Sequence, residues 1–348
     1  MWKEGIFAFD TNVLLKFYKY SSDMQQKIFK ILKNKNIKDR IWLPYRVANE
    51  YQENRLSKIN EQMESYDKII KEIKNCKGVM QNILNQYSQH RYLDMDSLKN
   101  EFENFFKEKI KQIEEKKKEH PDWIQNDTIR NELTKIFRDK VGEKFNEVEL
   151  ESIYEEGEKR YKNKVPPGYK DNDKEGQEKY SDLIIWEQLI EKASQSEKPI
   201  IFITEENKKD WIWKEYHHRL GPRRELIIEM REKADVLFYL YNTKSFLKHV
   251  QKYFDITVDP NMLDEIELIN KKIYNRSIYS FNKFKDINKN YMKNIRNFNN
   301  EDEFEDFIEI LLREDFDYTL LEKFSDELLE KTLIILDYKI DELRNKQI

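Results

Sequence analysis

The chain has 348 residues, enough for one large domain or two, and its net charge of −4 excludes a polycation that binds nucleic acid through total charge. A local basic groove is still compatible with that charge. One cysteine, Cys76, excludes an intrachain disulfide and a zinc site built on several thiolates. The first residues lack the shape of a signal peptide and no apolar run could span a bilayer, so we expect a cytoplasmic protein without membrane contact.

The first segments of the chain have the pattern that opens an α/β sheet. A short apolar run at residues 5–9 predicts a buried strand, the polar turn 10–12 ends it, and an apolar helix follows over 13–18. Residues 41–44 predict a second short strand, and another helix begins near Val47. The early chain therefore predicts two strands, each followed by a helix.

Residues 55–154 have the pattern of a helical insertion. Apolar side chains recur there at spacings of three and four among lysine, glutamate and asparagine, which places them on one helix face. We expect two long helices that fold back on each other like a coiled coil. The pattern breaks at 120–122, and further helices are predicted up to Tyr161.

The strand pattern returns after the turn at 166–168. Residues 181–190 predict a helix, whereas 199–204 and 235–240 predict buried strands. Because strands alternate with helices, we expect a parallel sheet. Beyond about residue 255 the pattern is helical again.

These segments predict three parts. An α/β core consists of residues 1–54 and 155–255, the helical insertion of 55–154 lies between them, and a C-terminal helical extension covers 256–348.

Acidic residues follow the predicted strands or lie at the start of the predicted helices, and an open α/β sheet places its functional crevice at the carboxyl ends of its strands. They are Asp10, Glu50, Asp182, Glu205, Glu206 and Asp210. Two carboxylates about 4 Å apart repel by roughly 4 kcal/mol at an effective dielectric of about 20, so such a cluster must protonate, splay or bind a cation. Oxygen ligands select Mg²⁺ or Mn²⁺, and such ions could activate a water and neutralise charge on a phosphodiester.

Four segments, in chain order, resemble the acidic motifs of PIN-domain nucleases: 9–15, 47–51, 180–186 and 202–211. Segments 160–171 and 221–226 are similar to a bacterial subgroup of PIN-like proteins that carries a helical insertion. The resemblance covers about 1–54 and 141–250. It implies a PIN-like three-layer core and a divalent-metal-dependent endonuclease, with RNA favoured as substrate, and it points to a stress or phage-defence effector.

The resemblance also implies roles for individual residues. Catalytic metal ligands would be Asp10, Glu50 and Asp182, completed by Glu206 or Asp210, with Glu205 ranked behind them. Hydroxyl and amide groups would orient these acids through hydrogen bonds: Thr11, Asn12 and Thr204. Apart from the resemblance, the positions of several basic residues beside these acids or after turns suggest contact with the substrate backbone: Arg223, Arg224, Lys208, Lys209 and Lys170, with Arg160 in the same groove. Asp171 and Asp173 are further candidates for the acidic cluster, and the pair His217 and His218 is expected on the surface.

Two departures from the family pattern keep alternatives open. Glu205-Glu206 stands where the subgroup usually has aspartate, and Ser181 replaces a usual glycine. A catalytically degenerate protein that binds nucleic acid or assembles without cleavage is one alternative, and a nuclease directed at DNA flaps or single strands is another. In either case the insertion or the C-terminal helices could form a homo-oligomer or bind a protein partner.

Overall fold

The computed structural model describes residues 1–215 and 218–269. The chain divides into two compact units, Met1–Asp259 and Pro260–Ile348. In the second unit the described part, residues 260–269, is helical. Most of the expected C-terminal extension therefore lies outside the described residues.

A four-stranded parallel sheet forms the centre of the first unit, in the order β2-β1-β3-β6. Its strands are β1 (Ile6–Phe9), β2 (Ile41–Trp42), β3 (Ile200–Ile203) and β6 (Phe238–Tyr241). Every residue of β1 and β3 is buried, as apolar runs in a sheet covered on both faces require. The remaining strands, β4 (Ile212–Glu215) and β5 (His218–Pro222), form a separate antiparallel hairpin.

The helices of the first unit follow in chain order. They are α1 (Thr11–Leu15), α2 (Ser22–Leu32), α3 (Tyr45–Gln86), α4 (Met95–Glu119), α5 (Thr128–Ile136), α6 (Glu147–Lys162), α7 (Ser181–Ser196), α8 (Arg224–Ala234) and α9 (Thr243–Phe254). None of the described helices combines the length and the apolar character needed to cross a membrane.

Helices cover both faces of the sheet and complete three layers. On one face, the rings of Phe7 and Phe9 in β1 lie 5.6 and 5.7 Å from the ring of Phe246 in α9. On the other face, Trp186 of α7 packs edge-on against Phe238 of β6 at 4.9 Å. The expected α/β class with a central parallel sheet is therefore confirmed.

The insertion is an antiparallel helical hairpin that grows directly out of the core. Helix α3 runs for 42 residues without a break, so the predicted boundary between residues 54 and 55 falls inside one helix. Ion pairs such as Asp67 with Lys117, at 2.6 Å, show that α4 runs back along α3. The second predicted boundary, between 154 and 155, likewise falls inside α6.

Two elements differ from the sequence-based expectation. The hairpin of β4 and β5 was not predicted, and it includes His218, while His217 lies outside the described residues. Strand β6 begins at Phe238, three residues after the predicted start at 235, because α8 ends with Asp235 in the left-handed conformation at φ 53°.

Candidate active site

The site lies where the order of the sheet changes direction. From β1 the chain continues to β2 on one side, whereas from β3 it continues to β6 on the other. The carboxyl ends of β1 and β3 flank this switch point, where open α/β sheets place their ligand crevice. Asp10 follows β1 directly, and Thr204 and Glu206 follow β3.

Asp10 caps helix α1 and is held from three directions. Its Oδ1 accepts a hydrogen bond from the backbone N–H of Thr11 at 2.7 Å. Its Oδ2 accepts from the Asn12 amide at 2.8 Å and from the Thr204 hydroxyl at 2.5 Å. The same Thr204 oxygen accepts the backbone N–H of Glu206 at 2.8 Å, so the two strand ends are linked through Asp10.

Glu50 lies in the second turn of α3 and is tied to two other helices. Its Oε2 accepts from the Thr11 hydroxyl of α1 at 2.6 Å, and its Oε1 accepts from the Ser181 hydroxyl of α7. Arg46 donates to Ser181 at 2.6 Å and lies 3.3 Å from the Glu50 carboxylate. Ser181, where the family usually has glycine, thus contributes a hydroxyl that orients Glu50.

Lys208 lies among three carboxylates. Its Nζ is 2.8 Å from Asp171, 3.5 Å from Asp182 and 3.5 Å from Glu206. Glu206 also accepts the backbone N–H of Lys208 at 2.8 Å through its other oxygen. The acids that follow β3 and begin α7 are therefore joined through one ammonium group.

Asp210 is fully buried and bound to the loop that precedes α7. Its Oδ2 accepts the backbone N–H groups of Gly168 at 3.0 Å and Lys170 at 3.1 Å. Gly168 has φ 89°, and a Cβ there would lie 2.3 Å from the Tyr161 hydroxyl, so the loop requires glycine at this position. The Oδ1 atoms of Asp210 and of Asp171 are buried without a hydrogen-bond partner among the described residues.

Burial and neighbouring negative charge together raise the pKa of Asp10. Burial, opposed by the hydrogen bond from Thr204 and aided by the charges of Asp182, Glu50 and Glu206, raises the pKa of Asp10 to about 8. These effects show that the carboxylates lie close enough to repel one another.

The pKa values of the acids nearest Lys208 are shifted in different directions. Burial raises the pKa of Asp210 to about 7, and the charge of Asp182 adds to the rise. Burial also raises the pKa of Asp182, although Lys208 opposes that rise. Burial acts to raise the pKa of Asp171, but Lys208 and Lys174 together outweigh burial and hold this pKa below its ordinary value. The neighbouring acids in turn raise the pKa of the Lys208 ammonium despite its burial.

The carboxylates of the site are the type of ligand that a hard divalent cation prefers, but they are not arranged around a common point. Among the described residues, no three histidine, cysteine, aspartate or glutamate side chains are placed to share a metal ion. The donors are all carboxylates, and the partnerless Oδ1 of Asp210 offers one more oxygen. Lys208 already contacts Asp182 and Glu206, so these two acids could share an ion only if the ammonium withdrew.

The structure brings most of the predicted acids together but turns Glu205 away. Glu205 pairs with Lys16 at 3.0 Å and accepts the backbone N–H of Thr243 at 3.0 Å. Its own N–H donates to Asn12 at 3.0 Å. Asp173, the other outlying candidate, is exposed. Thr11, Asn12 and Thr204, in contrast, make the hydrogen bonds to acids that the resemblance implies.

The predicted basic residues occupy different environments. Arg223 makes a two-point contact with Glu225, at 2.6 and 3.1 Å, and Arg224 is exposed at the start of α8. Lys209 and Lys170 are partly exposed beside the acidic loop. Arg160 is not in a groove: it is buried, and both terminal nitrogens of its guanidinium contact Glu229 at 2.7 Å.

Arg219 is a nearby cation that the sequence did not single out. It lies in β5, its Nη2 is buried without a partner among the described residues, and the charges of Glu205 and Glu206 act on it. Its position depends on the unpredicted hairpin, so no sequence signal could have found it.

The parallel sheet and the acids at its carboxyl edge define an α/β protein with a nuclease-type fold. A family model described as PIN like domain matches residues 6–226, which span every acid of the site. The chain therefore belongs to the PIN-like domain family. No curated protein and no solved structure matches it significantly.

Proposed function

We propose that the chain is a divalent-metal-dependent endonuclease that hydrolyses phosphodiester bonds, with RNA as its substrate. The observation that carries this proposal is the convergence of Asp10, Glu50, Asp182 and Glu206 from separate segments at the switch point of the sheet. Burial and repulsion by neighbouring acids disfavour the charged forms of Asp10 and Asp182, and a bound cation would offset both effects. Family membership supports hydrolysis of nucleic acid.

The proposed cofactor is Mg²⁺ or Mn²⁺, and its proposed ligands are Asp10, Glu50, Asp182 and either Glu206 or Asp210. When bound, such an ion would lower the pKa of a water molecule and neutralise charge on the phosphodiester. Thr204 and Asn12 fix the carboxylate of Asp10, and Thr11 and Ser181 fix that of Glu50. This pre-organisation reduces the reorganisation that ligand binding costs.

The choice of RNA and a role as a stress or phage-defence effector in the cytoplasm are supported by the resemblance to the bacterial PIN-like subgroup. A partly basic surface beside the acids supports contact with a phosphate backbone. Lys170 and Lys209, which are partly exposed, contribute charge there.

The test is cleavage of labelled single-stranded RNA, duplex RNA, single-stranded DNA and flap DNA, with Mn²⁺, Mg²⁺ or EDTA. We expect metal-dependent cleavage of RNA that Asp10→Asn and Asp182→Asn each lower more than about 100-fold, since loss of even an outer-shell partner costs about 10–100-fold. Asp173→Asn is the control: it makes the same chemical change at an exposed position in the segment before α7, and this variant should cleave like wild type. Cleavage in EDTA, or cleavage that survives both site substitutions, would contradict the proposal.

A catalytically silent nucleic-acid-binding protein is the second candidate. It is favoured by Lys208, which already supplies a cation to the acids, and by the absence of a preformed three-acid metal site among the described residues. The same assay separates the two: the silent protein would bind RNA without cutting it under any metal condition. Cleavage confined to the DNA substrates would instead identify a DNA-directed nuclease.

A further inference from the structure

Lys208 has the contacts of a bound cation rather than those of a surface lysine. Its Nζ lies within 3.5 Å of acids from three separate segments, Asp171, Asp182 and Glu206, and its side chain is only 13% exposed. A buried charge is retained only when it is paired, and here one ammonium serves three carboxylates. The ammonium thus occupies the space between acids that a divalent ion would also need.

We propose that Lys208 is the resident counter-cation of the acidic cluster, and that its ammonium must withdraw from Asp182 and Glu206 before a divalent ion binds there. Lys208 then sets the metal affinity of the site and keeps the metal-free protein stable. The inference rests on the proposed metal-dependent function.

The backbone around Lys208 is held by hydrogen bonds that do not involve its side chain. The Lys208 carbonyl accepts the backbone N–H groups of Trp211 at 3.2 Å and Ile212 at 3.0 Å. Its own N–H donates to Glu206 at 2.8 Å. The flexible four-carbon stem of lysine lets the ammonium change partners while these bonds stay intact. Withdrawal therefore needs no rearrangement of the loop.

When the Lys208 ammonium withdraws from Asp182 and Glu206, it can stay paired with Asp171. It is the closest acid to Lys208, at 2.8 Å, compared with 3.5 Å for Asp182 and Glu206. Asp171 is outside the proposed set of metal ligands. Its Oδ2 also accepts from Lys174 at 3.0 Å, and its Oδ1 has no partner among the described residues, so it has capacity for a closer contact. The exchange would move one positive charge aside as a doubly charged ion enters.

The test is calorimetric titration of the full chain with MnCl₂, in wild type and in Lys208→Met. We expect Lys208→Met to bind Mn²⁺ at least about tenfold more tightly, because no ammonium competes for the acids. Lys233→Met is the matched control: Lys233 bridges Glu187 and Glu229 at 3.1 and 2.9 Å, away from the site, and its loss should leave the Mn²⁺ affinity at the wild-type value. Equal or weaker binding by Lys208→Met overturns the inference.

Thermal melting supplies a second readout that needs no activity. In EDTA, Lys208→Met and Lys208→Gln should melt below wild type, because the acids lose their counter-cation, and MnCl₂ should restore both. If neither variant folds even with MnCl₂, Lys208 is a structural tie that an ion cannot replace, and the inference fails. The nuclease proposal is judged separately by the cleavage of wild type against Asp10→Asn and Asp182→Asn. Unchanged affinity in Lys208→Met, beside cleavage that needs Asp10, overturns this inference alone.

Discussion

The two adjacent glutamates after β3 have side chains that point in different directions. Glu205 turns toward Lys16 and the start of α9, whereas Glu206 turns toward Lys208 and the acidic cluster. Adjacent side chains in extended backbone point to opposite sides, so only one of them can face the crevice. Of the two glutamates, Glu206 is therefore the one that pairs with Lys208 and acts on Asp182.

Arg219 is a cation near the acids after β3, and we predict that it contributes to nucleic-acid binding. Arg219 is partly exposed and its Nη2 has no partner among the described residues, whereas the guanidinium of Arg223 is already paired with Glu225. An arginine that contacts phosphate displaces about one counterion. Arg219→Ala should therefore weaken RNA binding and reduce the slope of log affinity against log salt by about one.

The measurement is fluorescence anisotropy of a labelled single-stranded RNA over a series of KCl concentrations, with EDTA present so that no cutting occurs. Arg223→Ala is the matched control on the neighbouring arginine, and we expect a smaller change in its slope. If Arg223→Ala reduces the slope and Arg219→Ala does not, the assignment of the phosphate contact is reversed.

The sequence predicted the acids of the site better than it predicted their partners. Asp10 and Thr204 could be placed because each directly follows an apolar run that forms a buried strand. The contacts of Lys208 could not, because Asp171 precedes α7 and Asp182 lies in its first turn, and only tertiary packing brings them to Lys208. Which acids bind metal is still a prediction.

At the scale of elements, a buried hydrogen-bond network fixes the start of α3 beside Glu50, where the helix leads into the insertion. Tyr51, one residue after Glu50, lies 2.8 Å from the hydroxyl of Tyr18, which donates to Asp127 at 2.6 Å. Asp127 caps α5 and also pairs with Arg55 of α3 at 3.1 Å. The buried network therefore joins the segment after α1 to α3 and to the start of α5.

Glu229 of α8 connects three helices, and its titration predicts a pH dependence of stability. It accepts from Arg160 of α6 at 2.7 Å and from Trp186 of α7 at 2.8 Å. Burial acts to raise its pKa, but Arg160 and Lys233 outweigh burial and lower it to about 2. This carboxylate is charged more readily in the folded than in the unfolded state, so its stabilisation is present above about pH 4.5 and is lost as pH falls toward 2.

We expect Glu229→Gln to lower the free energy of unfolding at pH 7 by about 3 kcal/mol, because it leaves the buried Arg160 without its counter-charge. The difference between variant and wild type should shrink as pH falls from 4.5 to 2. Urea unfolding at a series of pH values measures both effects. Glu225→Gln removes an exposed partner of Arg223 on the same helix and should change stability by less than about 1 kcal/mol. A pH-independent difference for Glu229→Gln would contradict the assigned role.

Element types followed from the sequence wherever burial imposed a clear pattern. Strands β1 and β3 are continuous apolar runs, and α3 and α4 have apolar spacings of three and four. The hairpin of β4 and β5 has no such pattern, since Trp213 and Leu220 are 42% and 47% exposed. It is held instead by pairing between its two strands and by contact with β6.

At the scale of the whole molecule, the distal part of the α3–α4 hairpin is held by pairing between its two helices. Beyond the ion pair of Asp67 with Lys117, the polar contacts between described residues include Gln81 and Lys77 of α3 with Glu103 of α4. Large apolar side chains there are exposed, among them Val79 at 60% and Phe105 at 52%. Such surfaces suit a protein partner or a second copy of the chain, which is the role that the sequence predicts for the insertion.

Replacing residues 69–115 with a four-residue Gly-Ser loop tests whether this part is separate from the nuclease core. The ends can be joined because the Asp67 carboxylate and the Lys117 ammonium are 2.6 Å apart, and the contact of Tyr66 with His120 at 3.2 Å is kept. We expect the shortened protein to melt within a few degrees of wild type, because exposed distal elements contribute little to the core.

The same variant should keep metal-dependent cleavage and lose any self-association of the full chain, measured by light scattering after size exclusion. Replacing only the connecting residues 88–93 with the same loop controls for the loop itself. If the shortened protein unfolds, the distal hairpin supports the core, and the separation argued from its contacts is wrong. If the shortened protein folds but no longer cleaves RNA, the hairpin takes part in the reaction or in substrate binding. Misplacement of Glu50 would not explain such a loss, because the deletion leaves the network from Tyr51 to Asp127 that fixes α3 beside Glu50 unchanged.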